Sequence, residues 1–261
     1  MSPNREYTPP PATARDLKQS LSNTGFDRVI IVTPMIYGSD NSVTLDAIAS
    51  LGRQRARGIA LIDQPPSGSL LDTMMDGGIV GVRLLLGGSR FNRSVAEMRL
   101  KQLFKLAEPR GWHLDISMPP ETTAALSNTL RSAPVYLAFD YFGWMAGGVS
   151  QAGFTELLSL LDSGRAFIKL SEPYRISKHP PNYEDLKNVV TAYIRTNPDR
   201  ILWGSGWPHV DSSAGRGKLA RNLDISDVHL LRLLEGWVPD ARTRWKILVQ
   251  NPAELYGFKA A

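Results

Sequence analysis

The chain has 261 residues, 43% apolar and 21% charged, enough to bury a sizeable core and too ordinary in charge for a disordered protein. Thirty Lys and Arg against 25 Asp and Glu give a net charge of +5, yet no run of five basic residues occurs. The excess suits an anionic small molecule and argues against a nucleic-acid partner, while the absence of cysteine removes disulfides, thiolate metal sites and cysteine nucleophiles.

In chain order, the first fifteen residues carry four prolines and read as an irregular arm. β-Branched or apolar runs follow at 28–34, 57–63, 79–86, 112–118, 135–142, 166–171 and 201–205. Helical spacing fills 12–24, 43–54, 67–76, 94–109, 121–131, 151–163, 182–196, 226–234, 239–250 and 251–256. Pro120 suits a first helical turn, Gly164 a position just past a helix end, and Asn197-Pro198 a helix stop. Gly87-Gly88-Ser89-Arg90 resembles a phosphate loop only superficially, since no Gly-Lys-Ser/Thr follows, and reads as a turn. No apolar run approaches the ~18 residues of a membrane span, and the N-terminus has no apolar core of a secretory signal. A cytoplasmic protein without membrane partners is expected.

Alternating strands and helices predict βαβ units on a parallel sheet, and no linker divides them, so one domain over 1–261 is expected. Seven strands, each followed by a helix, fit a (β/α)₈ TIM-barrel-like fold with a missing or distorted first strand better than an open doubly wound sheet. A missing strand exposes two sheet edges. Residues 1–11 folding across the gap, a distorted barrel, or a homodimer covering the opening would each answer that.

Active sites of such barrels lie at the C-terminal ends of the strands. The polar residues there are Tyr37, Ser39, Asp40 and Asn41; Asp63; Arg83; His113, Asp115 and Ser117; Asp140 and Tyr141; Lys169, Ser171, Tyr174 and Arg175; Ser205, Trp207 and His209. Alternation puts Lys169 and Ser171 on the face opposite Ile168 and Leu170. A lysine turned inward needs a partner or ligand.

Several motifs carry a family likeness. Arg200-Ile-Leu-Trp-Gly-Ser-Gly-Trp-Pro-His209 resembles the RVLWGTDWPH signature of the amidohydrolase-related superfamily, most closely its metal-independent 2-pyrone-4,6-dicarboxylate lactonases. Tyr7-Thr-Pro, Val32 to Asn41, Gly81-Val-Arg83, Phe139-Asp-Tyr-Phe-Gly143, Lys169 to Arg175 and Val249 to Phe258 resemble other family segments, in the family's order. The resemblance implies a TIM barrel, carboxylate binding at Arg83 and Arg175, and a small, anionic, cyclic substrate.

The departures matter as much. The first-strand Asp-x-His-x-His segment is absent from this sequence, Tyr141 stands where the family has histidine, and Gly206 replaces the water-activating aspartate. Glycine accepts no proton. The four histidines show no metal-ligand spacing, so no metal or other cofactor is expected. The expected activity is non-hydrolytic isomerisation, cyclisation or elimination on a lactone, pyrone or polyketide-like acid. Tyr141, His209 and Lys169 are the catalytic candidates; Arg83, Arg175, Tyr37, Tyr174, Trp207, Ser205 and Tyr7 are the binding candidates. A lactone hydrolase using His209 or Tyr141, and a silent metabolite- or protein-binding relative, remain alternatives. The blander readings are an ion pair of Arg83 or Arg175 with Asp63, Asp115 or Asp140, a salt bridge for Lys169, helix capping by Asp140, and a core position for His113.

Overall fold

The computed structural model describes residues 1–87 and 91–259. Of the turn read at 87–90, only Gly87 lies within them. The strands are β1 (Val29–Val32), β2 (Ala56–Leu61), β3 (Ile79–Leu85), β4 (His113–Ser117), β5 (Leu137–Phe139), β6 (Ala166–Ser171) and β7 (Ile201–Gly204). The helices are α1 (Ala14–Thr24), α2 (Ser42–Leu51), α3 (Gly68–Asp76), α4 (Arg93–Ala107), α5 (Pro120–Ala125), α6 (Ser127–Arg131), α7 (Phe154–Asp162), α8 (Lys187–Thr196), α9 (Asp227–Trp237), α10 (Ala241–Trp245) and α11 (Asn251–Tyr256). Strand order follows chain order, and the pairing is parallel. This is the predicted α/β, TIM-barrel-like fold with seven strands where the closed form has eight.

Three boundaries need correction. The run at 135–142 yields a strand of three residues, because Tyr141, Phe142 and Trp144 turn to positive φ. The helix read at 121–131 breaks at Leu126 into α5 and α6. The one read at 239–250 changes at Lys246 into a π-helical turn that runs to Gln250. Gly164 takes φ +73 beyond α7, as its position predicts.

The chain sorts into two compact units, residues 1–83 with 206–232 and residues 84–205 with 233–261. In the first, β1 pairs with β2 from Val29↔Ala56 to Val32↔Ile59, and β2 with β3 up to Leu61↔Arg83. α1 begins with a capping box, in which Thr13 and Asp16 satisfy each other's backbone amides. Leu17 and Leu21, one turn apart, are buried; each contributes about 1.5–3 kcal/mol by leaving water. The N-terminal arm is irregular but pinned. The Thr8 amide donates to the Lys218 carbonyl (2.9 Å), the Ala220 amide donates to Thr8 (2.8 Å), and Thr8 and Leu219 form a parallel bridge. Asn41 ties the strand ends together: its amide donates to the Leu61 carbonyl (2.9 Å), and its oxygen accepts from the Leu61 amide (2.8 Å) and the Thr33 hydroxyl (2.9 Å).

In the second unit, β4 to β7 pair in succession, and all six residues of β6 are buried. A run without water on either face is what a parallel strand requires. Asn251, at the head of α11, donates to the carbonyls of Ile201 (2.7 Å) and Pro198 (2.9 Å) and anchors the C-terminal helices to β7.

Candidate functional site

Strand alternation in the second unit places Lys169 between two carboxylates. Its Nζ contacts Asp115 Oδ2 and lies 3.0 Å from Asp140 Oδ1, with all three residues buried. Asp115 comes from β4 and Asp140 directly follows β5, so three strands supply the cluster. A charge taken out of water persists only with such partners. The capping reading of Asp140 is thereby corrected: it makes no side-chain cap bond and faces the ammonium instead. Tyr256 of α11 sits nearby, its phenol pushed well above the usual value, first by burial; Lys169 opposes that push, and Asp115 and Asp140 add to it. The His113 ring meets Tyr256 edge-on at 5.3 Å, in the core position expected of it.

After Asp140 the backbone enters an unusual turn. Tyr141, Phe142, Gly143 and Trp144 have φ of +52, +55, +65 and +60. For each of the three non-glycine residues this costs about 1–2 kcal/mol. At Gly143 a Cβ would lie 2.3 Å from Leu157 Cδ2, so a side chain there would have to displace that buried leucine as well as adopt φ +65. The turn is held from several sides. The Tyr141 amide donates to Ser171 Oγ (3.2 Å), Trp144 Nε1 donates to Ser117 Oγ (3.0 Å), and the Tyr193 hydroxyl donates to the Phe142 carbonyl (2.8 Å). The Phe142 ring stands edge-on to Trp237 at 5.6 Å.

The Tyr141 and Trp144 rings lie 5.0 Å apart, and the Arg175 guanidinium sits 5.7 Å from the Tyr141 ring and 5.7 Å from the Tyr174 ring. Arg175 pairs with Glu172, a partner the sequence reading did not name, and Tyr174 donates to Glu172 Oε2 at 2.9 Å. Burial raises the Tyr174 phenol strongly, with Glu172 adding to it. Burial, the largest single influence, would lower Arg175, but Glu172, Tyr141 and Tyr174 together more than offset it and hold the guanidinium charged. The second unit thus places Lys169 against Asp140, and Tyr174 and Arg175 around the adjacent Tyr141 and Glu172, while Ser205 stands half-buried just past β7.

The first unit holds the remaining candidates. Arg83 is buried in β3 opposite Leu61, and Tyr7 and Tyr37 are half-buried. Ser39 Oγ donates to Asp63 Oδ2 at 2.8 Å. His209 is buried with φ +57, its Nε2 2.9 Å from Asp227 Oδ1, and the other oxygen of Asp227 accepts from Ser20 Oγ (2.7 Å). His209, Asp227 and Trp207 line an open cleft of about 510 Å³ together with Ser20, Asn23 and Asn222. Gly206, three residues before His209, has φ +81. Of the other histidines, His179 is exposed and His229 half-buried.

Sequence reasoning missed Glu172, Asp227, Tyr193 and Tyr256. The i, i+3 spacing of Glu172 and Arg175 was an available signal. Asp227, eighteen residues beyond His209, offered none.

Metal binding does not suit these donors. The two carboxylates that converge already have an ammonium between them, and the described residues contain no group of three or more His, Asp or Glu able to hold an ion. No helix among the described residues is long and apolar enough to cross a membrane.

Known proteins place the chain. It is 31% identical over 255 residues to the 4-sulfomuconolactone hydrolase of Rhizobium radiobacter, covering 97% of this chain and 83% of that one. It is 28% identical to the D-galactarolactone isomerase of Agrobacterium fabrum, covering 95% and 81%. The crystal structure of a probable 2-pyrone-4,6-dicarboxylic acid hydrolase from Acinetobacter baumannii, with citric acid bound, superposes with a TM-score of 0.83 at 25% identity, covering 99% of this chain and 94% of that one. The sequence pattern of the amidohydrolase family matches residues 1–258. The chain belongs to the amidohydrolase family, alongside its lactone-processing members.

Proposed function

We propose that the chain is an enzyme acting on a small carboxylated oxygen ring, a lactone or pyrone, through proton transfer rather than attack by water. The observation that carries this reading is Gly206. The position where the family resemblance expects a water-activating carboxylate has neither a side chain nor a conformation that favours one. The likeness to an isomerase as well as to hydrolases is consistent with either outcome. In the proposed scheme Arg175 engages a substrate carboxylate, a task suited to the guanidinium fork. Tyr141 and Tyr174 donate to ring oxygens, where a positioned phenol stabilises negative charge as it develops. Lys169, with Asp115 and Asp140, supplies the acid–base group that moves the proton. Ser205, just past β7 in the same unit, adds a further polar contact.

A second reading rests on a specific contact. Asp227 holds His209 Nε2 at 2.9 Å, and a carboxylate so placed fixes the orientation of the imidazole. Ring hydrolysis with His209 as base is that alternative.

Incubation with 2-pyrone-4,6-dicarboxylate and with aldarolactones in H₂¹⁸O separates the two. The proton-transfer reading expects a rearranged product without ¹⁸O. Label in the product, lost in His209→Gln, would establish the hydrolytic reading instead. Metal analysis of the active protein should find no stoichiometric ion.

A further inference from the structure

The left-handed turn at 141–144 is the most strained backbone described in the molecule, and its cause lies outside the candidate site. Such strain persists only where surrounding groups over-determine it. Two of the supports, Ser117 and Ser171, sit at strand ends beside the charged cluster. The third comes from a helix. Tyr193 of α8 is fully buried, and burial holds its phenol in the protonated, donating form. Its hydroxyl reaches the carbonyl of Phe142, the central residue of the turn.

We propose that Tyr193 is a positioning residue for ligand recognition: by holding the Phe142 carbonyl it keeps residues 141–144 left-handed, and so sets the Tyr141 ring, packed edge-on against Trp144, beside Arg175. Without that bond the turn has a cheaper alternative. Flipping Phe142 and Tyr141 back to negative φ releases strain and rotates the Tyr141 ring away from the guanidinium. The Tyr193 hydroxyl touches no ligand in this scheme; it acts through the backbone. Three features support a role beyond filling space. The hydroxyl is spent on a strained carbonyl rather than on regular secondary structure. The turn it holds carries two aromatic rings in contact with each other. The guanidinium that completes the wall is itself fixed, by Glu172.

The inference rests on the reading that Tyr141 and Arg175 contact a carboxylated ligand, so the experiment separates the two. Citrate is the probe, measured by calorimetry on the full chain. Tyr193→Phe should fold and weaken citrate binding about tenfold, the order expected when one well-placed polar contact is lost. Near-ultraviolet circular dichroism should lose the Tyr141–Trp144 signal, identified by its absence in Trp144→Phe. A control destabilised elsewhere, Leu100→Ala in α4, should keep both affinity and signal, which a purely structural role for Tyr193 would not predict. Ser171→Ala, which removes the acceptor of the Tyr141 amide, should shift both readouts in the same direction and serves should Tyr193→Phe not fold. Unchanged affinity and signal in these two variants overturn the inference alone. Unchanged affinity in Arg175→Ala and Tyr141→Phe, or no citrate binding by the parent chain, overturns the reading of the site beneath it.

Discussion

The two units hold their polar residues by different means. In the first, the buried polar groups are mostly neutral: Thr33, Asn41 and Thr44 exchange hydrogen bonds with each other and with backbone, and in the cleft a histidine lies at hydrogen-bond distance from Asp227. In the second, an ammonium stands between two carboxylates, and a guanidinium pairs with a glutamate. Neutral networks tolerate partial loss, since each hydrogen bond contributes a modest net amount. Charged clusters do not, because removing one member leaves the rest desolvated without compensation. The difference teaches where substitutions should be most costly.

The largest effect should follow Lys169→Met, which takes the ammonium from between Asp115 and Asp140 and is expected to cost about 3–5 kcal/mol. Urea unfolding measures it, and a loss below about 1 kcal/mol would mean that the cluster is better solvated than its burial indicates. Next comes Asn41→Ala in the first unit, where three hydrogen bonds to backbone disappear and about 2–3 kcal/mol should be lost. A cost there equal to that at Lys169 would erase the contrast between the units.

Alkaline titration sharpens the contrast further. Tyr193 and Tyr256 of the second unit hold their phenols above the value of the unfolded chain, so above pH 10 the folded state keeps protons that the unfolded state has released. Their contribution is complete below pH 10 and falls as pH rises, by about 1.4 kcal/mol per pH unit for each such group. Tyr256→Phe should flatten the loss of stability between pH 10 and 11; an identical slope would show that this phenol ionises freely in the folded protein. The smallest effect belongs to the helix start of the first unit, where Thr13→Ala opens the capping box and should cost about 1 kcal/mol in the same urea assay.

Most of the framework was legible because it is written in local patterns. β2 and β6 are apolar runs each carrying a single charged residue, α7 and α8 keep helical spacing, and the prolines at 120 and 198 mark element boundaries that the structure keeps. β5 was overextended because Tyr141 and Phe142 favour strands by composition, and nothing nearby shows that hydroxyls from Ser171 and Tyr193 pull them left-handed. The site was legible in part. Lys169 announced itself as a charge inside an apolar run, but its two partners come from other strands, and the reading of Asp140 as a cap followed from seeing only its sequence neighbours. Asp227 reads as an ordinary acidic residue at a helix start, yet its carboxylate joins His209 to Ser20, residues 189 positions apart in the chain (209 less 20).

The pinning of the arm to residues 218–220 bears on how the protein is made. Thr8 leaves the ribosome early, but its backbone partners emerge only after more than two hundred further residues. Helices and strands of the first unit can form as they appear, whereas that unit cannot close until the segment ending at 232 is synthesised, by which time β4 to β7 are already available to fold. Biogenesis therefore runs out of order: residues around Thr8 are made well before residues 218–220 yet reach their native place only once those partners exist.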